Sequence, residues 1–200
     1  MQTKLSAFCD KVIEAGWLAA IIVVPLFFNV YSRRVFEPDK LSLLRSIATL
    51  LVVCGLIKAA ERPTTGEDVT VRRRLERLFA IPLVLPTALL GLVYLLTTAT
   101  SIVPRISFWG SYQRLQGTYT MLSYLVVFSV LLSNLRRREQ LDRLFTTIIL
   151  VSMPIALYGL IQHYGRDPLP WGGDVTRRVA SNMGNPIFVA AYLIMVVPLT

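Results

Sequence analysis

LSLLRSIATLLVVCGLIKAA, residues 41–60, carries only two charges, Arg45 near its start and Lys58 near its end. As a helix this stretch rises about 30 Å, the thickness of a bilayer's hydrocarbon core. Val12–Val30, Phe79–Ala99, Thr118–Leu135 and Leu144–Gln162 are runs of the same kind, and a sixth begins at Pro186 and is still apolar at Thr200. Fifteen residues rise only ~22 Å, so the last run is expected to be the start of a longer crossing. Hydrophobic residues make up 54% of the chain and charged residues 16%, with a mean hydropathy of +0.57. The charges collect between the apolar blocks instead of mixing among them. The pattern predicts an all-α fold: a polytopic transmembrane bundle of about six helices, forming one domain over residues 1–200.

The formal charge of +9 raises nucleic acid as a partner, but the placement of the charges argues for a membrane. Arg72, Arg73, Arg74 and Arg77, with Lys58 and Arg62, fall between the second and third runs. Arg136, Arg137, Arg138 and Arg143 fall between the fourth and fifth, and Lys4 and Lys11 precede the first. Alternate loops rich in Lys and Arg are what the positive-inside rule expects of cytoplasmic loops. The N-terminus is therefore expected inside, with Tyr31–Lys40, Thr100–Gly117 and His163–Asn185 facing outward. The first run lacks a small-x-small cleavage site and reads as a retained helix.

The inward segments read as structural. Val71, Leu75 and Leu78 share one helical face among arginines, which suits a short helix lying on anionic headgroups. PTTGED at 63–68 reads as a polar turn. Cys9 falls in the inward tail and Cys54 near the inner face; they are not expected to form a disulfide, and no Cys/His spacing suggests zinc.

The outward loops hold basic residues where positive charge is disfavoured: Arg33, Arg34, Lys40, Arg105, Arg114, Arg166, Arg177 and Arg178, with Arg45 one turn below. Snorkelling to lipid phosphates accounts for most of them. Arg114 and Arg178 stand in denser patterns of turn residues, near Gly110, Gly117 and Gly184, glycine being suited to close backbone approach. Asn185–Pro186 has the form of an N-cap followed by proline at the first helical position. Arginine beside a helix N-terminus is a reasonable site for phosphate. Trp109, Tyr112, Tyr119, Tyr124, Tyr164 and Trp171 fit an interfacial aromatic belt better than a sugar-stacking wall. His163, the one histidine, reads as an interfacial or hydrogen-bonding helix end.

FWGSYQRLQGTYTMLSYL, YGLIQHYGRDPLPW and RRVASNMGNPIFVAAYL, with EPDKLSLLR before them, resemble successive segments of the O-antigen ligase and polymerase superfamily. Members are polytopic glycosyltransferases of the bacterial inner membrane. The resemblance implies transfer of glycans from a polyprenyl diphosphate to a glycan or protein acceptor at the outer face. It maps diphosphate and glycan binding onto Arg45, Arg114, Gly117, Arg178, Gly184 and Asn185, with Pro186 beside them. Ile187 departs from the family, which often has a second Asn after the proline. Cations holding the leaving group allow such chemistry without metal or cofactor. The family's catalytic His and further arginines lie in a later outward loop, so residues 1–200 alone are expected to hold no catalytic residue and to show no transfer activity.

Two other classes fit a multi-helix chain. A transporter usually places ionisable groups at the bilayer midplane, where these runs hold none; Glu14 lies near an end. A non-catalytic envelope-assembly protein would need no outward anion site.

Overall fold

A computed structural model describes residues 3–29, 31, 37–61, 81–135, 137–171 and 173–200. The surface helix expected over 70–79, the turn at 63–68, and Arg33, Arg34, Arg62 and Arg136 lie outside the described residues. Among the described residues the chain is all-helical, without strands. The described residues form seven α-helices: α1 (Lys4–Leu26), α2 (Glu37–Ala60), α3 (Val84–Ala99), α4 (Pro104–Trp109), α5 (Thr118–Asn134), α6 (Arg138–His163) and α7 (Pro186–Val196). Single 3-10 turns occupy Ser181–Met183 and Val197–Leu199.

Helix ends depart from the apolar runs where polar caps and prolines intervene. Thr3 Oγ1 accepts from the Ser6 amide, so α1 starts well before the apolar run at Val12. Glu37 and Asp39 in the first turn of α2 favour its N-terminus electrostatically, which draws EPDK into the helix. Gln140 Oε1 accepts from the Arg137 amide and opens α6 six residues before Leu144. By contrast α3 starts only at Val84, after Leu83 takes a left-handed φ of 71° between Pro82 and Pro86. In the loop expected over 100–117, Pro104 starts the short α4, which Gly110 closes at φ 82°.

Two of the helices, Glu37–Ala60 and Arg138–His163, are long and apolar enough to cross a membrane. The buried set is mainly apolar, with Trp17, Leu44, Leu51 and Ile155 in it, but polar side chains join it while many large apolar ones stay outside. Leu50, Leu56, Leu89, Leu96, Leu150, Met153 and Leu157 are exposed, whereas Thr118, Thr120, Ser123, Gln162, Ser181 and Asn182 are buried.

The helices group into two compact units. One comprises Met1–Gly16, Arg45–Ser111 and Gln116–Asn134. Within it α1 packs antiparallel to α2: Asp10 pairs with Lys58, Thr3 bonds Glu61, and Gly16 faces Leu51. A Cβ on Gly16 would meet Leu51 Cδ2 at 2.8 Å, so the glycine lets the two helices approach. Cys9 and Cys54 are neighbours at this seam, both as free thiols. Antiparallelism brings together residues 45 positions apart in sequence, which spacing alone does not reveal.

The other unit comprises Trp17–Leu44, Tyr112–Leu115 and Leu135–Thr200. The Pro25 carbonyl, one of the last in α1, accepts from Lys40 Nζ and Asn182 Nδ2, each at 2.7 Å. Helix-terminal carbonyls lack intrahelical partners, and these two side chains supply them. Gly159 faces Val179, whose Cγ1 would lie 2.8 Å from a Cβ there.

Candidate functional site

The segment that leads into α7 is held by buried polar bonds. Gln162, fully buried at the end of α6, accepts at Oε1 from the amides of Ala180 (3.1 Å) and Ser181 (2.7 Å). Ser181 Oγ donates to the Ile155 carbonyl at 2.7 Å. Ser181 has a φ of 46°, unusual for a residue with a side chain. Such strain persists only where surrounding bonds over-determine it, and the Gln162 and Ile155 bonds do so. Gly184 follows with φ 73°, a left-handed conformation that costs glycine little. Asn185 then caps α7: its Oδ1 accepts from the Ile187 amide at 2.9 Å, with Pro186 at the first helical position. The cap read from Asn185–Pro186 is thus the geometry observed.

Arg178 precedes this anchored segment. Its side chain is exposed and makes no hydrogen bond or ion pair among the described residues; its backbone amide donates to the Asp174 carbonyl at 3.4 Å. Asp174 also accepts from the amide and hydroxyl of Thr176, which hold its carboxyl below the ordinary range. Arg114 is likewise exposed and unbonded among the described residues, beside Leu115 at φ 51°. No bond links Arg114 to Arg178 among the described residues.

Gly117 lies in the first unit, where the α4 end crosses it. A Cβ there would sit 2.5 Å from the Phe108 carbonyl oxygen and 2.8 Å from Trp109 C, and closer still to the Gly110 nitrogen. All three are backbone atoms, so only glycine fits. Arg45 has a different setting from the exposed arginines. It is buried, its Nε donates to Thr120 Oγ1 at 2.8 Å, and an Nη donates to the Trp109 carbonyl at 2.7 Å. The guanidinium lies 4.8 Å from the centre of the Tyr119 ring, a cation–π distance. Arg45 therefore ties α2 to α4 and α5. Trp109 and Tyr119 meet edge-to-face at 5.4 Å, so this part of the aromatic set is packed together.

His163 ends α6, and its Nδ1–H donates to the Thr176 carbonyl at 2.7 Å. That agrees with a hydrogen-bonding helix end and fixes the ring to the 163–185 loop. A carboxylate hub in the same loop was not anticipated. Asp167 Oδ2 accepts from Tyr158, Gln162 and Trp171 at 2.9, 3.0 and 2.7 Å, and Oδ1 accepts from the Leu169 amide at 3.0 Å. Burial pushes this carboxyl upward, but the four donors outweigh it and hold it below the usual range. The local signal was Asp-Pro, whose Asp often bonds the amide two residues on. No group of three metal-ligating side chains occurs among the described residues.

The chain matches no family model, no curated protein and no solved structure.

Proposed function

We propose that this chain is the N-terminal portion of a membrane glycosyltransferase of the O-antigen ligase and polymerase type. In this reading the whole protein, and not residues 1–200 alone, transfers or polymerises polyprenyl-diphosphate-linked glycans at the outer face of the bacterial inner membrane. Its helices form a multi-pass bundle with the N-terminus inside, and Arg114, Arg178, Gly184 and Asn185 serve the diphosphate and glycan. The membrane setting is supported by the low burial of the two long helices, 28% and 17% of their most apolar windows. A soluble core helix would be mostly buried.

The observation that carries the functional reading is the exposed Arg178 guanidinium just ahead of a rigidly held helix start. Phosphate needs pre-placed donors that do not have to reorganise when charge develops. The Gln162 and Ser181 bonds fix the backbone there while leaving Arg178 available. A planar guanidinium can meet two phosphate oxygens at once.

The test is glycan transfer by the whole protein that contains residues 1–200, in proteoliposomes with a polyprenyl-diphosphate-linked donor. Arg178→Ala should lower the rate about a hundredfold or more, in the range of removed transition-state contacts. Arg178→Lys should lose much of the same activity, because the ammonium lacks the fork. Wild-type rates for both variants would refute the assignment, and ion or solute flux without transfer would favour a transporter.

A further inference from the structure

In the unit that holds α3 and α5, these helices run antiparallel, with Gly91 of α3 facing Leu125 of α5. Two cavities lie along their seam. One, of about 510 Å³, opens between the end of α3 and the start of α5; Thr97, Thr98, Thr118, Thr120, Gln116 and Tyr124 are among its lining. The other, of about 520 Å³, lies beyond Gly91 and is walled mainly by apolar groups, including Val84, Ala88, Leu125, Phe128 and Leu132. Both are within the range of about 300–1,000 Å³ typical of small-molecule sites.

The bonding of the hydroxyls selects the ligand. Thr98 Oγ1 donates to the Tyr94 carbonyl at 2.7 Å, and Thr97 Oγ1 to the carbonyls of Val93 and Tyr94 at 2.9 and 3.1 Å. Thr118 shares its bond between Thr98 and the same Tyr94 carbonyl. A hydroxyl has one proton and two lone pairs. With their protons committed, these threonines offer the cavity acceptors. A phosphodiester, which has only acceptors, gains no bond from these threonines, whereas a ligand with several O–H donors is matched well. A cationic headgroup is disfavoured by Arg45, whose Nε donates to Thr120 in the cavity wall. Tyr94 and Tyr124 supply aromatic surface for the apolar face of a sugar ring.

We infer that the α3/α5 seam binds a polyol-headed lipid, its uncharged sugar head in the threonine cavity and its chain in the apolar groove. This rests on the membrane setting proposed above and not on glycosyl transfer, so binding without transfer would leave it intact. The experiment uses the full-length chain in phosphatidylcholine nanodiscs, with dodecyl glucoside carrying a photoreactive group in its alkyl chain. Photolysis should label peptides of α3 and α5. Excess unlabelled dodecyl glucoside should suppress labelling at least tenfold, while free glucose at equal concentration should not. A phosphatidylcholine bearing the same photoreactive chain should label the seam far less. Thr97→Val with Thr98→Val should weaken labelling about tenfold, and Ser129→Trp, which fills the groove from an exposed position, should abolish it. Absence of label at the seam, equal labelling by phosphatidylcholine, competition by free glucose, or indifference to both sets of variants would each overturn the inference.

Discussion

Gln162 donates from Nε2 to Asp167 Oδ2 at 3.0 Å while its own Oε1 accepts from the Ser181 amide at 2.7 Å. One buried amide thus joins the 167–171 turn to the segment that opens α7. Gln162→Leu removes the acceptor for two backbone amides, and a buried donor left unmade costs about 1–3 kcal/mol. The melting temperature of the detergent-solubilised protein should fall substantially. Gln162→Glu keeps that acceptor but opposes two carboxylates, so it should be destabilised at neutral pH and partly recover on acidification, when a proton restores the donor. Equal loss at every pH would show that the Asp167 bond contributes little.

Asp167 itself sets a pH window. Four donors hold its native carboxyl below the ordinary value, against the upward push of burial. A depressed native value means that its stabilisation is complete above the unfolded value of about 3.9. It is lost as pH falls through the native value. Wild-type melting should therefore decline below about pH 4, and Asp167→Ala should be less stable at neutral pH with a shallower decline in that interval. Parallel melting curves for the two proteins would disprove the linkage.

Backbone crowding at Gly117 predicts a steep dependence on a single methyl. Alanine there must displace backbone atoms of Phe108–Gly110, and overpacking commonly costs about 1–3 kcal/mol. Gly173→Ala is the control, because nothing lies within 4 Å of a Cβ at Gly173. Thermal melts should show a clear loss for Gly117→Ala and almost none for Gly173→Ala.

The neighbouring thiols of Cys9 and Cys54 test how α1 meets α2. They are the two cysteines of the chain. A copper–phenanthroline oxidant should remove two electrons and two protons and join them within one molecule, so that both lose maleimide reactivity together. Cys54→Ser should leave Cys9 reactive under the same treatment. Persistent reactivity of both thiols after oxidation would place the helices in another register.

What the sequence made legible, and what it hid, follows from the range of the interactions. Asn185–Pro186 was readable because a cap is decided within three residues, and the apolar runs were readable because hydropathy is a local sum. The late start of α3 followed from Leu83 between two prolines, where a continuous apolar run concealed a backbone break. Asp167 was not legible as a hub because two of its four donors, Tyr158 and Gln162, come from the preceding helix, and the packed setting of Arg45 was not legible because Thr120 and the Trp109 carbonyl are far away in sequence. In the 100–117 loop, glycine spacing pointed to close approach at Gly117 but not to which backbone approaches it.

Arg45 and Arg178 should separate as a structural and a ligand-facing arginine. Arg45 is buried, uses Nε and an Nη on Thr120 and Trp109, and covers the Tyr119 ring. A lysine cannot make both bonds in that plane. Arg45→Lys and Arg45→Ala should each lower the melting temperature, the alanine variant by the equivalent of about 3–6 kcal/mol, since two hydrogen bonds to a charged group are lost at about 1.5–3 each. Arg178, exposed and unbonded among the described residues, should give an unchanged melt when replaced by alanine, with its effect confined to transfer. Measuring melting and transfer on the same preparations of the whole protein decides the assignment. A stable, fully folded Arg45→Ala protein with lost transfer would move Arg45 to the ligand side, and a destabilised Arg178→Ala protein would take Arg178 away from it.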